Sequence, residues 1–398
     1  MGGSLCTFGL GSLKRRASRL VNSVSRKFTN LEDSICNKLK RNSRMAPDIN
    51  RIWDTNQIWD PISGPVVDPA EERKSLVKRA SNQKVLVPDL VSLLPTWPCD
   101  IQPDIDEVNE EIDEWLKGVD ISEDKKAKHR ARGNYALLTA VYYPHCKKDK
   151  MLALTQFLYW VFFFDDDIDT GGELTDDTEA TLRVCEEAHK CVDDCLGPTP
   201  IFIAPADIRS TVEMLYPILK DLHAEMMPSG IERLRVELHE YLNGVERQQG
   251  VRQGSRLPDP WYHLQIRADD VGAIPNIVQA EYAMDFALPE SVWQHESIQT
   301  MVHESTVLTI LVNEIYSTQK EFRDSQLENF IFLLMNKYNI SIHSAIDKTL
   351  DLIREHYEIF SEAEERLPWS KNDEKLNMAI QQTVVTCKRL VTGTAYWR

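Results

Sequence analysis

Four aspartates lie close together at the end of an apolar segment. Asp165, Asp166, Asp167 and Asp169 follow the apolar run 157–164. If one helix continues through them, Asp165 and Asp169 share a face one turn apart, whereas Asp166 points aside. Burying these carboxylates without a cation would be costly, and their oxygens suit the hard cation Mg²⁺. The four residues, here called the acidic motif, therefore predict Mg²⁺ binding by Asp165 and Asp169.

A second polar set lies within another apolar segment. Asn313, Ser317 and Glu321 follow the apolar run 307–312 and are spaced four residues apart. On a helix this spacing places an amide oxygen, a hydroxyl and a carboxylate on one face. All three groups offer oxygen atoms to a hard cation, so this polar stripe predicts a site for one further Mg²⁺.

Taken together, the acidic motif and the polar stripe resemble the two metal-binding motifs of class I terpene synthases. The sequence is similar to the fungal members at three more places: the proline-flanked segment 85–98, the pair Tyr143-Pro144, and Arg267, which lies 46 residues before Asn313. The resemblance covers roughly residues 85–398. It implies an enzyme that ionises a prenyl diphosphate, most simply farnesyl diphosphate, and cyclises the cation to a sesquiterpene.

The resemblance also implies roles for individual residues. Asp165 would bridge two Mg²⁺ ions, and the polar stripe would bind a third. Arg267 would sense the diphosphate and act with Asp165 in catalysis, and Lys320 would contact the diphosphate oxygens. Arginine presents a planar fork to phosphate oxygens and lysine adds a point charge, so the residue types agree with these roles.

An allylic cation needs a dry cavity with aromatic walls, because water would quench the cation and aromatic faces stabilise positive charge. The candidates for this wall are Phe157, Trp160, Phe164, Tyr316 and Trp397. Gly272, close to Pro275, is predicted to break its helix and to point a carbonyl into the cavity.

The end of the sequence departs from the family pattern. Members usually carry a tryptophan followed by an Arg-Tyr pair that holds the diphosphate, whereas this sequence ends at Tyr396-Trp397-Arg398. Either the sequence is truncated here, or Arg398 substitutes in part for the pair in diphosphate binding. Two alternatives remain: a catalytically impaired relative that acts as a non-enzymatic helical binding protein, and a prenyl diphosphate synthase, although that class uses two aspartate-rich motifs.

Apolar residues at spacings of three and four predict helices along most of the chain, and no alternating run indicates a strand. The expected fold is an all-α bundle of ten to twelve helices around a central cavity. The predicted helical segments are 105–116, 120–142, 148–164, 176–196, 207–226, 231–252, 260–268, 277–286, 289–321, 326–337 and 342–366.

Composition divides the chain into three parts. Residues 1–45 hold ten Lys or Arg and two acidic residues, which predicts a basic, disordered tail. Residues 46–98, rich in Pro and Trp, are expected to form an extended arm, and 99–398 the catalytic domain.

The charge balance and the apolar runs limit the partners. With 46 basic and 62 acidic residues the net charge is −16, which argues against nucleic acid. The apolar runs are too short for a membrane helix, which argues against integral membrane association. We expect a prenyl diphosphate as the ligand and a cytoplasmic monomer or homodimer.

Overall fold

A computed structural model describes residues 68–168, 172, 174, 177–252 and 256–397. Asp169, Arg398, the tail 1–45 and the first part of the arm lie outside the described residues. The described helices are α1 (Pro69–Ala80), α2 (Ile105–Lys117), α3 (Glu123–Arg132), α4 (Tyr135–Tyr142), α5 (Lys148–Ile168), α6 (Thr178–Leu196), α7 (Ser210–Glu213), α8 (Leu215–Glu225), α9 (Pro228–Arg252), α10 (Pro260–Asp270), α11 (Ala273–Ala283), α12 (Glu290–Trp293), α13 (Glu296–Arg323), α14 (Phe330–Tyr338), α15 (Ile342–Glu364) and α16 (Glu374–Trp397).

The all-α prediction is confirmed, since this part of the chain contains helices and no strand. Within it there are sixteen α-helices rather than ten to twelve. Three predicted segments, 120–142, 207–226 and 289–321, are each divided into two helices. The arm 46–98 is not wholly extended, because α1 forms within it, and α16 lies in a region where no helix was predicted.

The break between α3 and α4 has a local cause. Asn134 accepts a hydrogen bond from the backbone N–H of Leu137 and so starts a new helix. At Gly133 a Cβ atom would lie 2.4 Å from the ring of Tyr135. A larger residue would require the ring of Tyr135 to shift, so a glycine suits this position between the two helices.

Two long helices form the centre of the fold. Helix α5 is buried on almost every side and packs against α2, α4, α8 and α11. Helix α13 packs against α10, α11, α14, α15 and α16. Their apolar surfaces hold both helices in place, because tertiary packing rather than intrinsic propensity supplies most helix stability in proteins. The two predicted metal motifs are therefore carried on rigid elements.

None of the helices in the described part of the chain has the length and apolar character needed to cross a bilayer. The longest, α13, has 28 residues but carries His, Glu, Asn, Lys and Arg side chains along its length.

Candidate active site

A cavity of about 190 Å³ lies where six helices meet. It is bounded by residues of α4, α5, α9, α10, α13 and α16. One part of its wall is polar and carries carboxylate, amide, hydroxyl and basic side chains. The polar lining residues are Tyr142, Asp165, Asp166, Gln248, Arg267, Asp270, Thr309, Asn313, Glu314, Ser317, Lys320, Glu321, Gln326, Glu328 and Thr394. The rest of the lining is Leu138, Val161, Phe162, Ile168, Val245, Val271 and Trp397.

Asp165 is held at the cavity by a buried tyrosine. The hydroxyl of Tyr241, on α9, donates a hydrogen bond of 2.9 Å to Oδ1 of Asp165. Tyr241 itself is 1% exposed, and its ring packs edge-on against Trp160. Because Tyr241 is fixed by packing, it sets the orientation of the Asp165 carboxylate.

Asp166 also lines the cavity, but it is engaged by basic side chains of α3. Nε2 of His129 lies 3.0 Å from its carboxylate, and Lys128 forms a short ion pair with the same oxygen. Burial alone would raise the pKa of Asp166, but the hydrogen bonds from His129 and Lys128 outweigh burial and lower it. Asp166 is therefore ionised and neutralised by the protein.

Asp167 lies on the far side of α5 and is 4% exposed. It accepts hydrogen bonds from Lys125 at 2.5 Å, Arg209 at 3.0 Å and Thr211 at 2.9 Å. These partners outweigh the effect of burial and lower the pKa of the carboxyl group. Asp167 thus anchors the end of α5 to neighbouring elements and does not line the cavity.

The polar stripe lies on the cavity face of α13. Asn313, Ser317 and Glu321 all line the cavity, as their four-residue spacing requires. Nδ2 of Asn329, the N-cap of α14, donates to Oε2 of Glu321 at 2.9 Å. Burial and the neighbouring charge of Glu314 nevertheless raise the pKa of Glu321. The charge of Arg267 and the hydrogen bond from Asn329 act in the opposite direction but do not outweigh burial and Glu314.

Glu314, next to the polar stripe, links α13 to the arginine of α10. It is 2% exposed, and its Oε1 lies 3.4 Å from Nε of Arg267. Its Oε2 lies 3.4 Å from Nε2 of His263 and accepts the backbone N–H of Phe330. Burial disfavours ionisation, but attraction to His263 and Arg267 prevails and lowers the pKa of Glu314. This role was not predicted from the sequence, although an acidic residue inside a buried helix indicates that a cation lies nearby.

Arg267 is held from two sides. Besides Glu314, its Nη1 donates to Oδ1 of Asp270 at 2.8 Å. Both Arg267 and Asp270 line the cavity, and Lys320 lines it as well, with an exposed side chain. The structure therefore brings Asp165, the polar stripe, Arg267 and Lys320 to one cavity, as their assigned roles require.

The donor set agrees with a hard divalent cation. The cavity gathers carboxylate oxygens from Asp165 and Glu321 with the side-chain oxygens of Asn313 and Ser317. The raised pKa of Glu321 shows that positive charge beside it would be favourable. No group of three His, Cys, Asp or Glu side chains suited to one ion occurs among the described residues, so the amide and hydroxyl oxygens of the stripe would have to serve as ligands too.

The structure does not bring most of the predicted aromatic wall to the cavity. Phe157, Trp160 and Phe164 are buried on another face of α5, with neighbouring ring centroids 5.3 and 5.6 Å apart. Tyr316, on α13, is not among the lining residues either. Of the five candidates only Trp397 lines the cavity.

Phe162 takes the place of these residues in the lining. Its ring stacks on Tyr135 at 4.4 Å and lies 5.7 Å from the ring of Trp397. The spacing of residues along α5 already indicates this placement of Phe162. Val161 and Phe162 lie four and three residues before Asp165, so they share its face of α5.

Gly272 separates α10 from α11, in agreement with the predicted break. Its φ of 68° is in the left-handed region, which glycine adopts without strain. Its carbonyl accepts a hydrogen bond of 2.8 Å from Nδ2 of Asn276. Gly272 is not a lining residue of the cavity, whereas its neighbour Val271 is.

Comparisons with known proteins agree with this site. The family model described as terpene synthase family 2, C-terminal metal binding, matches residues 156–358. The chain is 59% identical over 354 residues to terpene cyclase braA of Annulohypoxylon truncatum, an alignment that covers 89% of this chain and 93% of that protein. It is 26% identical over 359 residues to silphinene synthase peniA of Penicillium patulum, covering 87% and 92% of the two chains.

Solved structures share the fold. The linalool/nerolidol synthase of Streptomyces clavuligerus superposes with a TM-score of 0.65 at 20% identity, over 76% of this chain and 98% of that one. Wild-type cucumene synthase superposes with a TM-score of 0.63 at 19% identity, again over 76% and 98%.

Proposed function

The chain belongs to the terpene synthase family, and from this premise we propose that it is a Mg²⁺-dependent cyclase of farnesyl diphosphate. It would ionise the substrate, release diphosphate and cyclise the fifteen-carbon cation to a sesquiterpene. The sesquiterpene synthases among its relatives support this chain length. The proposal includes three Mg²⁺ ions, with Asp169 as a further ligand and Arg398 as a further diphosphate contact. We further propose that the protein acts in the cytoplasm as a monomer or a homodimer.

One observation carries the proposal. Asp165 on α5, the polar stripe on α13 and Arg267 on α10 come from separate parts of the sequence, yet their side chains line one cavity. When bound there, divalent ions supply Lewis-acid neutralisation of the departing diphosphate. Asp165 and the residues of the polar stripe would hold these ions.

Arg267 and Lys320 complete the diphosphate site. Asp270 and Glu314 engage Nη1 and Nε of Arg267, which fixes the plane of the guanidinium group. A guanidinium group held in one plane can bind phosphate oxygens without first losing side-chain freedom. Lys320 adds a mobile positive charge from the exposed edge of the cavity.

The apolar lining would receive the hydrocarbon part of the substrate. Leu138, Val161 and Val245 offer aliphatic surface, and Phe162 and Trp397 offer aromatic rings. Such a wall keeps bulk water away from the cation, and the faces of the two rings stabilise positive charge. Phe162 and Trp397 are therefore the aromatic residues to which we assign cation stabilisation.

The direct test is incubation of the purified chain with geranyl, farnesyl and geranylgeranyl diphosphates, with and without Mg²⁺, followed by gas chromatography and mass spectrometry. We expect a cyclic fifteen-carbon product from farnesyl diphosphate that requires Mg²⁺. Turnover of another chain length alone would refute the substrate assignment. Absence of any product would instead favour the non-catalytic binding protein.

A further inference from the structure

Thr309 continues the polar stripe one turn deeper into the protein. It lies four residues before Asn313 on α13, about 6 Å along the helix axis. Its side chain lines the cavity and is 5% exposed. Thr309 therefore places a hydroxyl group beyond the metal-binding end of the stripe.

The hydroxyl of Thr309 has no hydrogen-bond partner among the described residues. Three other buried hydroxyl groups of the same helix do have one, because they donate to the carbonyl four residues earlier. This holds for Ser305, Thr306 and Thr318, whose bonds measure 2.6, 2.9 and 2.6 Å. Thr309 is the exception, and it is the residue of this set that faces the cavity.

The other threonine of the lining behaves differently. Thr394 donates to the carbonyl of Leu390 at 2.8 Å, and Tyr142 lies 2.8 Å from its oxygen. The hydroxyl groups of Tyr142 and Thr394 therefore both have hydrogen-bond partners within the protein. Oε1 of Gln248, in contrast, is buried, lacks a partner in the described part of the chain and lines the same cavity as Thr309.

A buried hydroxyl that lacks a partner is unfavourable unless something in the cavity binds it. A water molecule is the simplest such partner, since waters in proteins are found where buried polar groups would otherwise be unsatisfied. We propose that Thr309 holds a water molecule in the cavity and that this water ends the reaction, so that the main product is an alcohol. The inference rests on the proposed function.

The chemical step is a nucleophilic capture. A lone pair of the water oxygen forms a C–O bond with the cationic carbon, and the resulting oxonium loses one proton to the diphosphate released in the ionisation. The products are a terpene alcohol and protonated diphosphate. Thr309 touches the water rather than the carbon skeleton, so it is a positioning residue.

The test compares product ratios of matched variants of the full chain in water enriched in ¹⁸O, with farnesyl diphosphate and Mg²⁺. We expect the wild type to make a labelled alcohol, because the oxygen comes from water. Thr309→Val should lower the ratio of alcohol to hydrocarbon about three- to tenfold, as expected for loss of one hydrogen bond. Thr309→Ser keeps the hydroxyl and should retain the ratio.

Thr306→Val is the matched control, because it removes a buried hydroxyl from the same helix outside the cavity lining. It should leave the ratio unchanged, and Thr309→Ala serves as a second deletion should the valine variant fold poorly. An unlabelled alcohol, a hydrocarbon as the main wild-type product, or equal ratios in the Thr309 and Thr306 variants would overturn the inference alone. Absence of any turnover by the wild type would overturn the proposed function and the inference with it.

Discussion

Two acidic residues at the end of α5 and Glu321 on α13 lie in opposite electrostatic surroundings. On α5, Asp166 and Asp167 are surrounded by basic side chains, and the pKa of each is lowered. On α13, burial and then the neighbouring charge of Glu314 raise the pKa of Glu321. The protein thus neutralises much of the acidic motif itself but leaves Glu321 short of positive charge.

Within each motif, the residues that we propose as metal ligands differ from those that position other groups. In the acidic motif Asp165 faces the cavity, while Asp167 fixes the helix end through Lys125 and Arg209. Along α13 the polar stripe faces the cavity, while Glu314 fixes Arg267. Neighbours in sequence therefore perform different tasks because a helix turns them toward different partners.

The largest effect that this comparison predicts is that of Asp165→Asn. The change keeps the side-chain shape but removes the charge that would bind metal, so kcat/KM should fall by about a thousandfold with little loss of stability. Asp167→Asn is the matched control. It should lower the free energy of unfolding by about 2–4 kcal/mol, measured in urea, because it leaves Lys125 and Arg209 without their buried partner. If both variants are fully folded and lose equal activity, the proposed difference between Asp165 as a ligand and Asp167 as an anchor of α5 would be contradicted.

An intermediate effect is expected for Glu314→Gln. Arg267 would lose a charged partner, so kcat/KM should fall about ten- to a hundredfold, with KM raised as diphosphate contacts weaken. Glu314→Asp keeps the charge and should recover part of the loss. The measurement is steady-state kinetics of both variants, and thermal melts check that both are folded. Wild-type kinetics in Glu314→Gln would show that Glu314 has no positioning role.

The smallest effect is expected at Lys128, whose ion pair with Asp166 is partly exposed to solvent. The side chain of Lys128 is 43% exposed, and such ion pairs contribute about 0–1 kcal/mol. Lys128→Gln should therefore change stability by less than about 1 kcal/mol and activity by less than about twofold. Lys125→Gln, at a side chain only 18% exposed, should destabilise the protein more. The reverse order would mean that burial does not decide the strength of these pairs.

The sequence alone predicted the metal-binding helices well, because their periodicity and their polar residues at four-residue spacing are strong local signals. The polar stripe needs only one continuous helix to bring its side chains together, and α13 provides it. The positioning roles of Glu314 and Asp167 were not predictable in this way. Their partners, Arg267 and Lys125, lie 47 and 42 residues away in sequence and meet them only through tertiary packing.

The aromatic wall was harder to predict for a physical reason. Helix α5 is apolar on nearly every face, so periodicity does not show which face meets the cavity. The orientation follows from Asp165, whose face includes Phe162 but not Phe157 or Phe164.

Helix α16 was missed because its sequence is locally ambiguous. It is rich in Thr and Val, which have low helix propensity, and it contains Gly393. Packing against α4, α11 and α13 holds it in place, so its helical state depends on the tertiary fold.

The most direct test of the central claim, that the two motifs form one metal-dependent diphosphate site, is calorimetric titration of the wild type with inorganic diphosphate, with and without Mg²⁺. We expect binding only with Mg²⁺, weakened at least about tenfold both in Asp165→Asn on α5 and in Glu321→Gln on α13. Binding of equal strength without Mg²⁺, or binding unchanged in both variants, would contradict the account.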